Sequence, residues 1–313
     1  MNTIRPCGCK GVRTCLQCEQ DFNIEKPSLL QQMKQLEAFS FCPLCERIFK
    51  GWDPWQVRAQ HPAHKKNDGL LLPGMYVKEN FLSANEGELL MQKLDAMPWA
   101  ASQSGRRKQN FGPKTNFRQR KLKNGIFNGF PASTRFVQER LRKEPLLSEF
   151  QTIEQCSLEY EPAKGASIDP HVDDCWIWGE RVVTVNCLGD AVLTLTAFDA
   201  RAMHSKYNLD LVAHYEQRLM LPLADEKEID TFKGKVIRVA MPNLSLMVMY
   251  GPARYQFEHA VLREDIKTRR VCIAYREFTP MYIDGEEILK GKEVTQNAHK
   301  FWEDSKVIAI KAI

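Results

Sequence analysis

The sequence predicts a mainly β domain of the α+β class, a β-sandwich or jelly roll with helices packed on its outside. Two observations carry that reading. Helical spacing appears early and stops near residue 143, after which six short segments rich in β-branched and aromatic residues follow one another. Those segments, "QCSLEYEP", "RVVTVNCLG", "AVLTLTAF", "KVIRVAMP", "SLMVMYG" and "RRVCIAYREF", are separated by Gly, Pro or Asp turns, as a series of short strands requires. A third observation sets the N-terminal part aside: six of the ten cysteines fall within the first 45 residues.

Taken in order, residues 1–67 read as a Cys-rich, zinc-type segment, 68–280 as the main domain, and 281–313 as a charged tail containing a helix. "SANEGELLMQKLDAM" carries a capping serine and helical apolar spacing, which predicts a helix near 83–97. "STRFVQERLRK" predicts a second helix near 133–143. The stretch 199–230 breaks the strand rhythm and reads as an insertion or long loop. At 313 residues the chain can bury a sizeable core, and its 43% hydrophobic and 27% charged fractions are ordinary for a globular protein. No apolar run approaches the roughly 20 residues that span a bilayer, and "MNTIRPCGCKGVRTC" lacks the apolar core of a secretory signal. The expectation is therefore a protein of cytoplasm and nucleus with no membrane partner.

The chemistry is concentrated in "IDPHVDDCWIWGE". His171 and Asp173 are two residues apart, so on an extended backbone they leave from one face, while Asp174 points away. Two histidines and one carboxylate on one face can hold an iron ion with three adjacent positions open. The third ligand must come from elsewhere, and "GPARYQFEHAV" offers His259. In "RRVCIAYREF" Arg270 and Arg276 share a strand face roughly 20 Å apart. Two long guanidinium arms can converge on the ends of a small dicarboxylate between them. Taken singly, each feature has a plainer reading: a surface histidine, a solvated edge strand, or tryptophans (Trp176, Trp178) packed in a core rather than walling a pocket.

Cys7-x-Cys9, Cys15-x-x-Cys18 and Cys42-x-x-Cys45 bring six thiols around a short apolar stretch. Paired Cys-x-x-Cys knuckles suit one tetrahedral structural zinc, and the preferred set is Cys15, Cys18, Cys42 and Cys45. Cys7 and Cys9 rival the first knuckle, with His61 and His64 as nearby outsiders. The net charge of +5 is too small to argue for nucleic acid by itself. Its distribution is more telling: "GRRKQNFGPKTNFRQRKLK" holds eight basic residues, no acidic one and two phenylalanines. Basic residues interleaved with aromatics suit phosphate contact and base stacking, and the same surface attracts an acidic protein.

His-x-Asp, a distal His, and Arg followed six residues later by Arg together resemble the AlkB-like iron(II)/2-oxoglutarate dioxygenases. "SGRRKQNFG" resembles that family's substrate-lid segment, which implies lid roles for Arg106, Arg107, Lys108 and Phe111. "CGCKGVRTCLQCE" and "QSGRRKQNFGPKTNFRQRKLK" are similar to the homologue-four branch of the animal members, and the likeness covers roughly 5–20 and 70–278. The resemblance implies a double-stranded β-helix (jelly roll) in which His171, Asp173 and His259 hold iron. It further implies that Arg270 meets the distal carboxylate of 2-oxoglutarate, with Arg276 and Tyr160 assisting. The family's Asn-x-Tyr is "LEY" here, so Leu158 stands where Asn is usual, with Ser157 beside it as a possible substitute. The implied reaction, with O2 as co-substrate, hydroxylates an N-methyl group and releases formaldehyde. The branch implies methyl-lysine on a protein such as actin as substrate. N-methylated adenine in DNA or another nucleic acid is the alternative, and a non-catalytic zinc and basic adaptor the third reading.

Overall fold

In a computed structural model, which describes residues 5–64, 68–123, 127–198 and 206–304, most of the strand-like segments assemble into two seven-stranded sheets. The strands run β1 (Glu37–Cys42), β2 (Arg47–Lys50), β3 (Leu70–Leu71), β4 (Met75–Lys78), β5 (Ala100–Ala101), β6 (Arg107–Phe111), β7 (Lys114–Asn116), β8 (Lys121–Lys123) and β9 (Phe130–Pro131). There follow β10 (Glu154–Tyr160), β11 (Ile168–His171), β12 (Trp178–Leu188), β13 (Ala191–Ala197), β14 (Lys235–Met241), β15 (Leu246–Met249), β16 (Phe257–Val261), β17 (Arg270–Phe278) and β18 (Phe301–Trp302). One sheet is ordered β11-β16-β13-β14-β1-β2-β3 and the other β4-β15-β12-β17-β10-β6-β5. From β10 to β17 the chain changes sheet at every step except β13 to β14, which pair with each other, and these strands pair antiparallel within each sheet, which is a jelly roll.

Period-two alternation decides what each sheet face touches. On β17 the inward set is Arg270, Cys272, Ala274 and Arg276, and the outward set is Val271, Ile273 and Tyr275. Cys272 packs with Tyr160, Val182, Leu195, Ile237, Met241 and Phe257 between the sheets. Val271, Ile273 and Tyr275 pack with Leu90, Leu94, Val137 and Leu141 of the helices Ala84–Ala96 and Arg135–Leu141. The first helix starts where the sequence places it. Ser83 accepts from the Glu86 amide and the Glu86 carboxylate accepts from the Ser83 amide, a capping box. Both expected helices and all six expected strands are present within a few residues of their sequence bounds.

Residues 1–67 are not a unit apart from the main domain. β1 lies parallel beside β14, from Glu37 against Lys235 to Phe41 against Val239, and β2 pairs with β1. The boundary expected at 67 therefore cuts through a sheet. "EAFSFC" is short and its last four residues are all buried, so it lacks the apolar-polar alternation that marks a half-exposed strand. The expected tail is also anchored. Tyr282 stacks on Phe278 with ring centroids 4.8 Å apart, and β18 pairs with β9. Residues 305–313 of that tail lie outside the described residues, as do 199–205 of the expected insertion. The remainder of the insertion forms short 3-10 turns, which pack Val212 and Tyr215 against Val172, Cys175 and Tyr255, and ends in the short helix Glu226–Asp230. Among the described residues no helix is long and apolar enough to cross a membrane.

Leu94 has no exposed surface and joins the helix to the outer face of β12 and β17. Leu94→Ala is expected to lower unfolding stability by about 2–5 kcal/mol, read as a shift in the urea midpoint at unchanged slope.

A candidate metal and dicarboxylate site between the sheets

β11 and β16 are neighbours, and their register sets His171 directly opposite His259. The two rings lie 4.2 Å apart at 45°. Asp173 follows the end of β11 and brings Oδ1 to 3.7 Å from His171 Nε2. One ligand atom from each of the three residues falls within 4.8 Å of the others. His171 Nδ1 lies 2.9 Å from the Asp169 carbonyl, so it carries the proton and leaves Nε2 as the lone-pair donor. Burial alone would raise the Asp173 carboxyl, but the Arg276 guanidinium and the two histidines hold it well below the usual carboxylate range. Burial and the neighbouring His171 push His259 well below the ordinary imidazole value. The donor set is thus two imidazole nitrogens and one ionised carboxylate, which suits a divalent iron ion with open positions.

Arg276 serves the carboxylate ligand. Its Nε and Nη2 donate to the two oxygens of Asp173 at 3.1 and 3.3 Å, and Nη1 donates to Glu154 at 2.6 Å. Its guanidinium lies over the Trp178 ring at 5.4 Å. With all three nitrogens engaged, Arg276 fixes Asp173 rather than reaching for a substrate.

Arg270 is in the opposite condition. It is 1% exposed, its guanidinium sits 4.7 Å over the ring of Tyr160, and no carboxylate of the described residues comes within ion-pair distance. Nε donates to Asn186 Oδ1 at 2.9 Å, and Nη2 reaches only the Met241 sulfur at 3.5 Å. A buried guanidinium without a counter-charge costs several kcal/mol, on the order of the penalty for any unpaired buried ion. A bound carboxylate removes that cost. Asn186 was not among the expected site residues. Its Nδ2 donates to the carbonyls of Gly189, Met241 and Pro242 at 2.6, 3.1 and 2.9 Å, which turns Oδ1 toward Arg270. The signal for it was an amide inside an otherwise apolar strand, "RVVTVNCLG".

The same register resolves the missing Asn of "LEY". Leu158, Cys272 and Asn186 stand opposite one another on β10, β17 and β12, and so form one row on the inner face. Ser157 stands opposite Ile273 on the other face, where its hydroxyl is buried and without a partner among the described residues. Ser157 therefore does not substitute. An amide in that row comes from Asn186, two strands away from Leu158.

The four lid residues divide by alternation. Arg106 sits 5.9 Å from the Tyr160 ring, and Lys108 is paired with Leu158, so both belong to the inner face. Arg107 is ion-paired with Glu159 on the outer face, and Phe111 meets Trp302 at 5.7 Å. Beyond them β7 and β8 form a separate hairpin on which Lys114, Arg118, Arg120, Lys121 and Lys123 are exposed. Phe117 at its tip is 49% exposed and lies edge-on to Trp176 at 6.1 Å. Trp176 and Trp178 are core residues. Asp174 neither joins the triad nor holds an arginine: it accepts from Asn208 Nδ2 at 2.6 Å.

The single zinc expected from Cys15, Cys18, Cys42 and Cys45 is not formed. Cys15 and Cys18 gather with Cys7 and Cys9, while Cys42 and Cys45 gather with His61 and His64. The reason is the strand status of 37–42, which carries Cys42 into the sheet and away from the first knuckle.

No family model matches the chain. It is 34% identical over 306 residues to the mouse alpha-ketoglutarate-dependent dioxygenase alkB homolog 4, covering 96% of each chain. It is 35% identical over 289 residues to the human protein of that name, covering 90% of this chain and 89% of the other. It is 27% identical over 294 residues to a DNA N6-methyl adenine demethylase of Caenorhabditis elegans, covering 90% of each.

Asn186→Leu removes the group that orients Arg270 without touching the triad. The expected outcome is a rise of roughly ten-fold or more in the KM for the dicarboxylate, with metal affinity unchanged. Arg276→Lys cannot hold both oxygens of Asp173, and metal affinity is expected to fall by about 10–100-fold, measured by manganese titration.

Proposed function

Because the chain belongs to the AlkB-like family of iron(II)- and 2-oxoglutarate-dependent dioxygenases, we propose that it is an oxidative N-demethylase that acts at the site between its sheets. The observation that carries this reading is the pairing of a ligand-ready His171–Asp173–His259 triad with a buried guanidinium, Arg270, that lacks an anion. The triad would hold iron, and Arg270 with Tyr160 would take the distal carboxylate of 2-oxoglutarate, steadied by Asn186. When bound, the iron with 2-oxoglutarate and dioxygen supplies the oxidation that hydroxylates an N-methyl group, whose hemiaminal then loses formaldehyde. Arg276 keeps Asp173 ionised and aimed, and the apolar walls of both sheets keep water from the reacting atoms. The three ligands and both arginines, Arg270 and Arg276, are intact, which favours an enzyme over a non-catalytic adaptor.

The substrate we propose first is a methylated lysine on a protein such as actin. It follows the homologue-four resemblance, and the two segments that carry that resemblance pack against one another. Arg13 donates to Gln103 at 2.6 Å, and Gly8 lies so close to Ser102 that a Cβ there would meet its carbonyl at 3.0 Å. N-methylated adenine in DNA is the second reading. It is favoured by the exposed basic hairpin with Phe117 at its tip, and by the name of the nematode relative.

Formaldehyde release measured side by side on a methyl-lysine peptide, folded methylated actin and methyladenine DNA decides between them. Turnover of methylated actin well above the DNA supports the first reading, and the reverse order sinks it. His171→Ala is expected to release none on any substrate. A protein whose melting temperature does not rise with manganese and 2-oxoglutarate together lacks the proposed site. Replacing Arg118, Arg120 and Lys121 together by Gln is expected to weaken binding of an anionic substrate several-fold and flatten its salt dependence, with kcat unchanged.

A further inference from the structure

We propose that the N-terminal 64 residues hold two structural zinc ions in two separate sites, one of four thiolates and one of two thiolates and two imidazoles. The first is Cys7, Cys9, Cys15 and Cys18, and the second is Cys42, Cys45, His61 and His64. Within each set the ligand atoms lie within 4.8 Å of one another. None of the ten cysteines is in a disulfide.

The packing around the first set shows why a metal is needed there. Cys9, Cys15 and Cys18 are buried, yet their cluster contains no apolar residue besides cysteines. The larger apolar side chains of the same segment, Val12, Leu16 and Phe22, are exposed. A segment of this size with its thiols inside and its hydrophobes outside has no core of its own, and a metal staple is the usual remedy. It is nonetheless ordered against the main domain. Arg263 donates both Nη atoms to Glu19 at 2.8 and 2.9 Å, and a Cβ on Gly105 would stand 3.2 Å from that of Cys15.

The second set has the sulfur-to-sulfur spacing of a tetrahedral site. Bond lengths to zinc of about 2.3 Å for sulfur and 2.0–2.1 Å for nitrogen give tetrahedron edges of roughly 3.4–3.8 Å. The sulfurs of Cys42 and Cys45 are 3.6 Å apart, which is close to that edge and far beyond a disulfide bond of about 2.05 Å. Cys45 Sγ stands 3.1 Å from both His61 Nδ1 and His64 Nε2. The ligands come from the end of β1, the β1–β2 turn, and the loop after the helix Pro54–Ala59. A metal there ties the hairpin that joins the sheet to the loop that covers it, and the ring of Phe49 stacks on His64 at 4.1 Å. Soft thiolates with imidazole in a closed four-ligand set favour zinc over magnesium, calcium or an open catalytic ion.

The full-length protein, dialysed against EDTA to clear the three-ligand site, is expected to retain two zinc ions per chain by elemental analysis. X-ray absorption at the zinc edge should give an average of three sulfurs and one nitrogen, since six sulfurs and two nitrogens are shared between two ions. Cys15→Ser should leave one zinc with two sulfurs and two nitrogens, and Cys45→Ser one zinc with four sulfurs. Loss of all zinc in either variant means one shared site and overturns the proposal, as does a wild-type content of one or none, or iron bound to sulfur. Should either variant fail to fold, the wild-type stoichiometry and its average ligand set still decide.

Discussion

The ion pair between Asp173 and Arg276 is the contact on which the site depends, because it joins the two sheets at the point where the chemistry collects. Asp173 follows β11 in one sheet and Arg276 lies on β17 in the other. Burial opposes a charge at this depth, and the guanidinium that faces the carboxylate, with the two histidines beside it, holds it ionised. Glu154, beside Arg276 on β10, takes the remaining nitrogen and stops the arginine from swinging toward the cavity. The result is a polarised site. At one end two carboxylates share one guanidinium and leave room for a cation. At the other Arg270 stands buried with an amide and a thioether for company. A metal ion and a dianionic acid lying between the ends would answer both imbalances at once, and neither end makes electrostatic sense alone.

How much of this was legible depends on whether the signal is local. His171 and Asp173 are two apart, and Arg270 and Arg276 are six apart, so strand periodicity alone puts each pair on a common face. The strands of the jelly roll were legible for the same reason, as were the capped helix at Ser83 and the helix that follows near residue 135. What the sequence hides is which strand lies beside which. Asn186 becomes a site residue only because β12 neighbours β17, and Ser157 is disqualified only because β10 presents it to the helices. The four lid residues look equivalent in "GRRKQNFG". Once β6 is seen to be a strand they fall on opposite faces in turn, and only Arg106 and Lys108 face the site.

The N-terminal region shows the same limit more sharply. Six cysteines near one another in sequence invite a single cluster, since Cys-x-x-Cys pairs a couple of dozen residues apart are a common zinc pattern. Between the knuckles stands "EAFSFC", whose buried residues make it a central strand rather than a linker. By pairing with β14, that strand moves Cys42 into a sheet and leaves the first knuckle beside Ser102 and Gly105. The boundary drawn at 67 fails for the same reason, because a strand in mid-sheet cannot belong to a separate module.

The position of the first cysteine knuckle bears on how the enzyme meets its substrate. The knuckle rests on the stretch 101–105, immediately before Arg106 and the strand β6 that carries Lys108 on its inner face. It also touches Gly165, three residues before β11, through Leu16. Lys26 donates to Asp169 at 2.6 Å, two residues from His171. The N-terminal segment therefore braces both the approach to the iron-binding strand and the approach to the lid. A free recruiting arm would gain nothing from these contacts. A segment that sets the separation between the lid strand and His171 would govern how deeply an N-methyl group can enter, and that depth is what an oxidative demethylase has to control.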